Sequence, residues 1–420
     1  MLRIRPFAAW RPPADPPGLA AEVACVPYDV ISTAEARELA RGKDRSFLHV
    51  IRPELALPDS TDPYDDAVYA LAKANFERFR ASGVLRREDA PSVYLYRQEM
   101  TLLGRRVGQT GVVACCHVDD YANNLIKKHE RTRKDKEDDR TRHVVELNAN
   151  AEPVFFMHRD RADIASLVTR DSAGPALYDF TAPDGVRHTV WRVPDASLYT
   201  RAFANVPEAY VADGHHRTAS AARAGAERRA KNPRHTGEEA YNWFMAVLFP
   251  ASSLTILPYH RVVKDLNGQT PARVVERLRS LGAVERAVSP EPGARGSFCV
   301  YLGKAPDGGW WRVTLPPASI PMSDPIASLD YVLLSERVLG PIFGVGDLRT
   351  DKRIDFVGGI RGPGELENRV DSGVAGAAFC MHPVEIDQVM AVADAGEIMP
   401  PKSTWFEPKL RSGLLVNTLD

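Results

Sequence analysis

The spacing of apolar and polar positions changes period several times along this chain. Between residues 64 and 82, Ala67, Leu71, Ala74 and Phe79 recur at roughly helical spacing and Gly83 follows as a stop, which predicts an amphipathic helix. Ser32 with Glu35 three residues later forms a capping box, so another helix is expected from there to about Arg41, ended by Gly42. The period then falls to two. Residues 92–99 and 108–114 read as a hairpin with Gly104-Arg105-Arg106 at the turn, and 177–180 with 188–193 as a second around Asp184-Gly185. Residues 152–157, 208–212 and 242–249 are short apolar strands, and 254–261 reads as one extended run. Val112-Val113-Ala114-Cys115-Cys116 is continuously apolar, a buried strand in which cysteine serves as a small core hydrophobe. Beyond Pro271, a helix over 273–281 and strands over 296–302 and 310–315 begin a new unit. Pro6, Pro12, Pro13, Pro16, Pro17 and Pro27 make the first thirty residues extended chain and turns, with no helix, and 399–409 is likewise too rich in proline for a helix. Interleaved strands and helices give an α/β (α+β) class, divided as 1–268 and 269–420.

Composition narrows the function. The chain has 420 residues, 44% hydrophobic and 26% charged, enough for two or three domains with a sizeable core. Lys plus Arg number 54 and Asp plus Glu 55, so the formal net charge of -1 supplies no global field toward nucleic acid or anionic lipid. Five cysteines without a CxxC pair argue against a structural zinc or a disulfide framework. The start, Met1-Leu2-Arg3-Ile4-Arg5-Pro6, lacks the apolar segment of a secretion signal, and no apolar run has the length of a membrane span. A cytoplasmic protein with no membrane partner is expected.

The most informative segment is Asp213-Gly214-His215-His216-Arg217, between a strand and a helix rich in small residues, Thr218-Ala219-Ser220-Ala221-Ala222. A helix start offers free N–H groups and partial positive charge, which suits phosphate. Gly214 permits a tight turn, Arg217 can grip phosphate with two N–H groups, His215 and His216 can donate or relay protons, and Thr218 can cap or bind. The competing reading is a polar turn with surface histidines. Arg217 at a helix start is expected to be exposed, so that its loss leaves the fold intact. A second segment, Lys127-Lys128-His129-Glu130-Arg131-Thr132-Arg133, lacks the second histidine of a zinc-protease helix. It reads either as a solvated charged helix or as a polyphosphate clamp. A third, Pro27-Tyr28-Asp29-Val30, could position a hydroxyl or a metal, or be a structural turn. Lys402-Ser403-Thr404 lacks the upstream glycines of a phosphate-binding loop.

These segments carry a resemblance. Arg5-Pro6-Phe7, Val26-Pro27-Tyr28-Asp29-Val30-Ile31-Ser32, Lys128-His129-Glu130-Arg131-Thr132, Ala212-Asp213-Gly214-His215-His216-Arg217, Arg353-Ile354-Asp355-Phe356-Val357-Gly358-Gly359 and Met399-Pro400-Pro401-Lys402-Ser403-Thr404-Trp405-Phe406-Glu407-Pro408-Lys409-Leu410 match a bacterial and archaeal family, domain of unknown function 1015. The Asp-Gly-His-His-Arg turn also resembles that of the ParB/sulfiredoxin-like superfamily, which includes free-serine kinases, sulfiredoxins and CTP-binding clamps. The resemblance implies a ParB/sulfiredoxin-like nucleotide-binding core with a second, C-terminal α/β domain. It further implies that His215, His216 and Arg217 hold a di- or triphosphate; in the kinase reading Asp213, Gly214 and Thr218 of the turn, with Lys128 and Arg131, join them around the phosphates of ATP or ADP. Magnesium would be ligated by Asp213 or Asp29. An acidic residue of the N-terminal part, Glu22 or Asp29, would act as base, or Glu130 in its place. His215 stands where sulfiredoxin has its cysteine, so that chemistry is not expected.

The expected activity is a nucleotide-dependent phosphotransferase acting on a small hydroxylated metabolite such as free serine, with Asp29, Glu130, His215 and His216 at the catalytic centre. The cations flanking Glu130 are expected to favour its ionised form, which leaves Asp29 as base or metal ligand. The alternatives are a nucleotide-switched DNA clamp and a small-molecule phosphatase. The partner expected is a small molecule, not a nucleic acid, and a homo-oligomer is compatible with the sequence.

Overall fold

The structure is a computed structural model that describes residues 1–420. The chain forms two compact units, Met1–Leu254 with Pro408–Asp420, and Thr255–Glu407. This differs from the expected division at 268/269: residues 255–268 belong to the second unit, and the last segment returns to the first.

The first unit is built on a nine-stranded mixed sheet. Its strands are β1 (Ile4–Arg5), β2 (Tyr94–Leu102), β3 (Arg105–His117), β4 (Ile126–Lys127) and β5 (Val154–His158). The rest are β6 (Tyr178–Thr181), β7 (Arg187–Arg192), β8 (Ala209–Asp213) and β9 (Trp243–Pro250). They lie in the order β4-β8-β5-β9-β3-β2-β7-β6, with β1 beside β3. The β4–β8 and β5–β9 pairs are parallel. Both expected hairpins form, β2–β3 and β6–β7. Leu103 and Gly104 close the first with φ of 47° and 79°, the conformation a two-residue hairpin turn needs. Val112, Val113, Ala114, Cys115 and Cys116 are all buried at the centre of the sheet, and all five cysteines are free.

Around the sheet lie α1 (Leu19–Val23), α2 (Thr33–Ala40), α3 (Asp66–Ala81), α4 (Lys134–Leu147) and α5 (His215–Lys231). Ser32 and Glu35 make the capping box of α2. The short helix α1 was not expected among the prolines; it fits between Pro17 and Pro27 because Gly18, at φ 96°, turns the chain into it. The charged stretch 128–133 is a loop, and the helix starts only at Lys134. The small residues of α5 permit close approach: a Cβ on Gly225 would lie 2.6 Å from Tyr241 O.

The second unit holds a six-stranded antiparallel sheet of β10 (Tyr259–Val263), β11 (Ala283–Arg286), β12 (Ser297–Tyr301), β13 (Trp310–Thr314), β14 (Ile354–Gly358) and β15 (Ala377–Met381). The order is β11-β13-β12-β15-β10-β14. The extended run expected over 254–261 is split at Pro258. Thr255–Leu257 pairs with Trp405–Glu407, while β10 joins the larger sheet. No helix is long and apolar enough to cross a membrane.

Candidate functional site

Strand β8 runs through the core as Ala209, Tyr210, Val211 and Ala212, all buried. Its register against β5 shifts between Val211 and Asp213. Such a bulge bends the strand and re-aims the residue that follows, here Asp213 at the mouth of the turn. Gly214 then takes the left-handed conformation, φ 86°, as N-cap of α5. Two constraints fix a glycine there. A side chain is strained at this φ, and a Cβ would meet Arg217 Cζ and Nε at 3.1 Å. Arg217 folds back over the bare face of Gly214. No side chain caps the helix, so its first N–H groups, those of His215 and His216, keep the orphan character of a helix start.

Arg217 is the hub of the site. It is 7% exposed, not the surface residue expected. Its Nη1 donates to Pro153 O at 2.6 Å. Nη2 lies 3.7 Å from both Asp29 Oδ2 and Asp213 Oδ2. Nε has no partner. Burial opposes the charge, but Asp29, Asp213 and Glu152 together hold the guanidinium above its ordinary pKa. Asp213 also accepts from Gly214 N at 3.0 Å and from Lys409 Nζ at 3.2 Å. Against burial, Lys409 and Arg217 hold its carboxyl below the usual range.

The histidines divide in role. His215 is 6% exposed, edge-on to His129 with ring centroids 4.6 Å apart, and its Nε2 has no partner. Its Nδ1 lies 3.6 Å from Glu130 Oε2. Burial first, then His129, pushes the imidazole well below its ordinary pKa. His216 Nε2 accepts from the backbone N of Arg133 at 3.0 Å and so ties the 128–133 loop to the turn.

Several expected ligands lie elsewhere. Thr218 is fully buried and its hydroxyl donates to Gly214 O at 3.0 Å, so it closes the first helical turn. Lys128 is exposed with Nζ 5.0 Å from the centre of the Tyr121 ring, and Arg131 is also exposed. The cations that flank Glu130 in sequence have other partners: Lys127 pairs with Glu208 at 2.7 Å and Arg133 with Asp135 at 2.7 Å. Of the two acids considered as base, Glu22 pairs with Arg45 at 3.0 Å on the surface, whereas Asp29 reaches Arg217. Asp29 and Asp213, the expected magnesium ligands, instead share one guanidinium, and no group of three His, Cys, Asp or Glu side chains is arranged to hold a metal.

Sequence reasoning missed Lys409, Glu152 and Arg140. Buried Gln98 and Gln109 donate to Lys409 O and Pro408 O at 2.7 and 3.2 Å, which threads the C-terminal segment across β2 and β3 and brings Lys409 to Asp213. Glu152, buried before β5, accepts from Tyr28 N at 3.1 Å and Ser412 Oγ at 3.2 Å. One carboxylate thus fastens the turn that carries Asp29 and the tail that carries Lys409; burial pushes its pKa up. Arg140 stacks 4.2 Å over the Tyr28 ring. A cavity of ≈ 30 Å³ lined by Arg140, Glu152 and Arg217 lies among them, room for about one water molecule.

Neutral buried histidines give a testable stability profile. Burial holds His129 down to about 4 from an ordinary 6.5, and His143 behaves alike. Between those values the unfolded chain binds protons that the folded chain does not. Stability therefore falls as pH drops from about 6.5 toward about 4, on the order of 1 kcal/mol per pH unit for each such residue. A series of melting temperatures across that window reads the slope. A flat profile would mean that the histidines charge in place.

Comparison with known proteins gives one family and several distant structural likenesses. The family described as "Protein of unknown function (DUF1015)" matches residues 4–332. A search of curated proteins returned no match. Among solved structures, a C-terminally truncated SbnI from Staphylococcus aureus is similar at 11% identity and TM-score 0.36, over 73% of this chain and 87% of that one. A free serine kinase in complex with AMP is similar at 14% identity and TM-score 0.34, over 72% and 92%. A conserved hypothetical protein from Pyrococcus furiosus is similar at 13% identity and TM-score 0.32, over 72% and 95%.

Proposed function

The chain belongs to the DUF1015 family, and on that premise we propose that it is a nucleotide-dependent phosphotransferase whose 213–217 turn holds the phosphates of ATP or ADP and whose acceptor is a small hydroxylated metabolite, free serine first among them. The observation that carries the reading is Arg217: a buried cation with an unused Nε donor, set in the first turn of a helix of 17 residues with no side-chain cap. Phosphoryl transfer asks the protein mainly for position and positive charge. Arg217 and Lys409 supply charge at the turn, and the N–H groups at the start of α5 supply oriented dipoles. His215, kept neutral with its Nδ1–H turned toward Glu130, leaves Nε2 as an acceptor for a hydroxyl of the bound substrate. Asp29, part-exposed on the turn before α2 and 3.7 Å from Arg217, is the carboxylate we assign to take a hydroxyl proton.

A magnesium ion enclosed by protein ligands does not fit these residues, because Asp213 is engaged by Lys409 and Arg217. An ion that travels with the nucleotide takes most of its ligands from phosphate oxygens and water, and Asp29, part-exposed beside Arg217, is the carboxylate left to reach it.

The test is a thermal-shift series with ATP, ADP and CTP, followed by an assay of phosphoserine formation. A ligand that binds only the folded state raises the melting temperature with its concentration. The expected result is a rise with ATP or ADP and phosphorylation of at least one hydroxy amino acid. No shift with any nucleotide would remove the reading. A shift with CTP accompanied by retention of duplex DNA would favour the clamp instead.

A further inference from the structure

The segment Pro401-Lys402-Ser403-Thr404 has no part in the phosphotransferase reading, and it belongs to the second unit. There it meets Arg261 of β10, 1% exposed and among the largest fully buried side chains of the protein. Arg261 donates to Tyr259 O from Nη1 and to Lys402 O from Nη2, the latter at 3.3 Å. Its Nε has no partner. The rings of Tyr331 and Phe356 lie 5.2 and 5.5 Å from the guanidinium. No carboxylate pairs with it. Asp355, on the adjacent strand opposite Val262, turns instead to Arg369 at 2.8 Å. The neighbouring His260 is neutral, held down to about 4 by burial, and its Nδ1 accepts from Met381 N at 3.2 Å.

The comparison with Arg217 is direct. Both guanidiniums are buried, but Arg217 has two carboxylates within ion-pair distance and Arg261 has none. Burial lowers Arg261 to about 10, so it stays charged at neutral pH. A buried charge without an opposite charge is costly, and aromatic faces offset only part of that cost. A second basic residue, Lys402, gives its carbonyl to Arg261. Lys402 holds a left-handed backbone, φ 60°, which is uncommon for a side-chain-bearing residue and costs energy. Its Nζ sits 5.4 Å from the centre of the Tyr259 ring.

We infer that Arg261 and Lys402 form an oxyanion site in the second unit, taking the phosphate group of a small ligand. Two cations gathered around Tyr259, with no carboxylate paired to the guanidinium, suit a doubly charged anion, and the guanidinium's free Nε together with Nη2 can present two parallel N–H groups to it. A structural arginine would be kept for stability. A binding arginine is kept at a stability cost that its ligand relieves.

The test uses the full chain and inorganic phosphate, read by calorimetric titration and by melting temperature. Because the helix turn of the first unit is also a candidate phosphate site, every titration is run in the Arg217→Lys background. Arg261→Met is expected to raise the melting temperature without phosphate and to lose the rise that phosphate gives. Lys402→Ala is expected to weaken phosphate binding at least tenfold with the phosphate-free melting temperature unchanged. Phosphate affinity that is the same in both variants as in their parent overturns the site, whatever happens to stability. Acetate binding as tightly as phosphate overturns the phosphate assignment. Neither result bears on the phosphotransferase reading, which is tested by nucleotide at Arg217.

Discussion

Arg217→Ala is expected to abolish nucleotide binding and also to destabilise the first unit, by about 3–5 kcal/mol, the usual cost of breaking a buried charge cluster by removing one partner. The alanine leaves Asp29, Asp213 and buried Glu152 without the cation they share. It also strips Pro153 O of its donor and uncovers the face of Gly214. From sequence alone the same substitution is a harmless surface change, since a polar residue in the first turn of a helix is usually exposed. The fold-back of the side chain over a glycine reverses that expectation. Arg217→Lys separates the two effects. Lysine keeps a positive charge near the carboxylates and should retain much of the stability, but it lacks the planar fork and should bind nucleotide poorly. Melting curves and ADP calorimetry on both variants read the outcome. An alanine variant that melts like wild type would show that the carboxylates do not depend on this cation; one that binds ADP like wild type would end its phosphate role.

What the sequence disclosed follows from the range of the signals. Local signals were readable: Ser32 with Glu35 set the start of α2, the period-two runs set both hairpins, and Gly214 between a strand and a small-residue run marked the turn. Pro258 was a signal not used; without an N–H it divides an extended run that hydrophobicity alone reads as one strand. Gly18 likewise opened a helix inside a proline-rich stretch. The rest depended on contacts remote in sequence. Lys409 reaches Asp213 only because Gln98 and Gln109 hold the returning tail, and nothing local to 408–410 names those partners. Glu152 and Arg140 look like ordinary surface charges until the fold buries both. The cations around Glu130 illustrate the converse: neighbours in sequence, in a loop, they disperse to Glu208, Tyr121 and Asp135.

That dispersal changes the argument for the base without changing its choice. The sequence favours Asp29 because Glu130 sits in a crowd of cations, and in the structure two of that crowd, Lys127 and Arg133, pair with Glu208 and Asp135. What separates the two acids is their nearest functional neighbour. Asp29 Oδ2 lies 3.7 Å from Arg217 Nη2, the group proposed to hold phosphate, so an acceptor hydroxyl brought to that phosphate comes within reach of Asp29. Glu130 Oε2 lies 3.6 Å from His215 Nδ1, which suits a residue that orients the ring while the opposite nitrogen, Nε2, stays available. Asp29→Asn is therefore expected to lower kcat by about 100-fold or more, the usual yield of a general base, while nucleotide affinity changes only a few-fold. Glu130→Gln keeps a hydrogen-bonding oxygen toward His215 and should lower kcat by less, about tenfold. The two are compared in the same phosphoserine assay, with ADP affinity measured alongside. An Asp29→Asn protein that turns over normally beside an inactive Glu130→Gln protein would exchange the roles. Loss of ADP binding in Asp29→Asn would instead mark Asp29 as the residue that sets the position of Arg217.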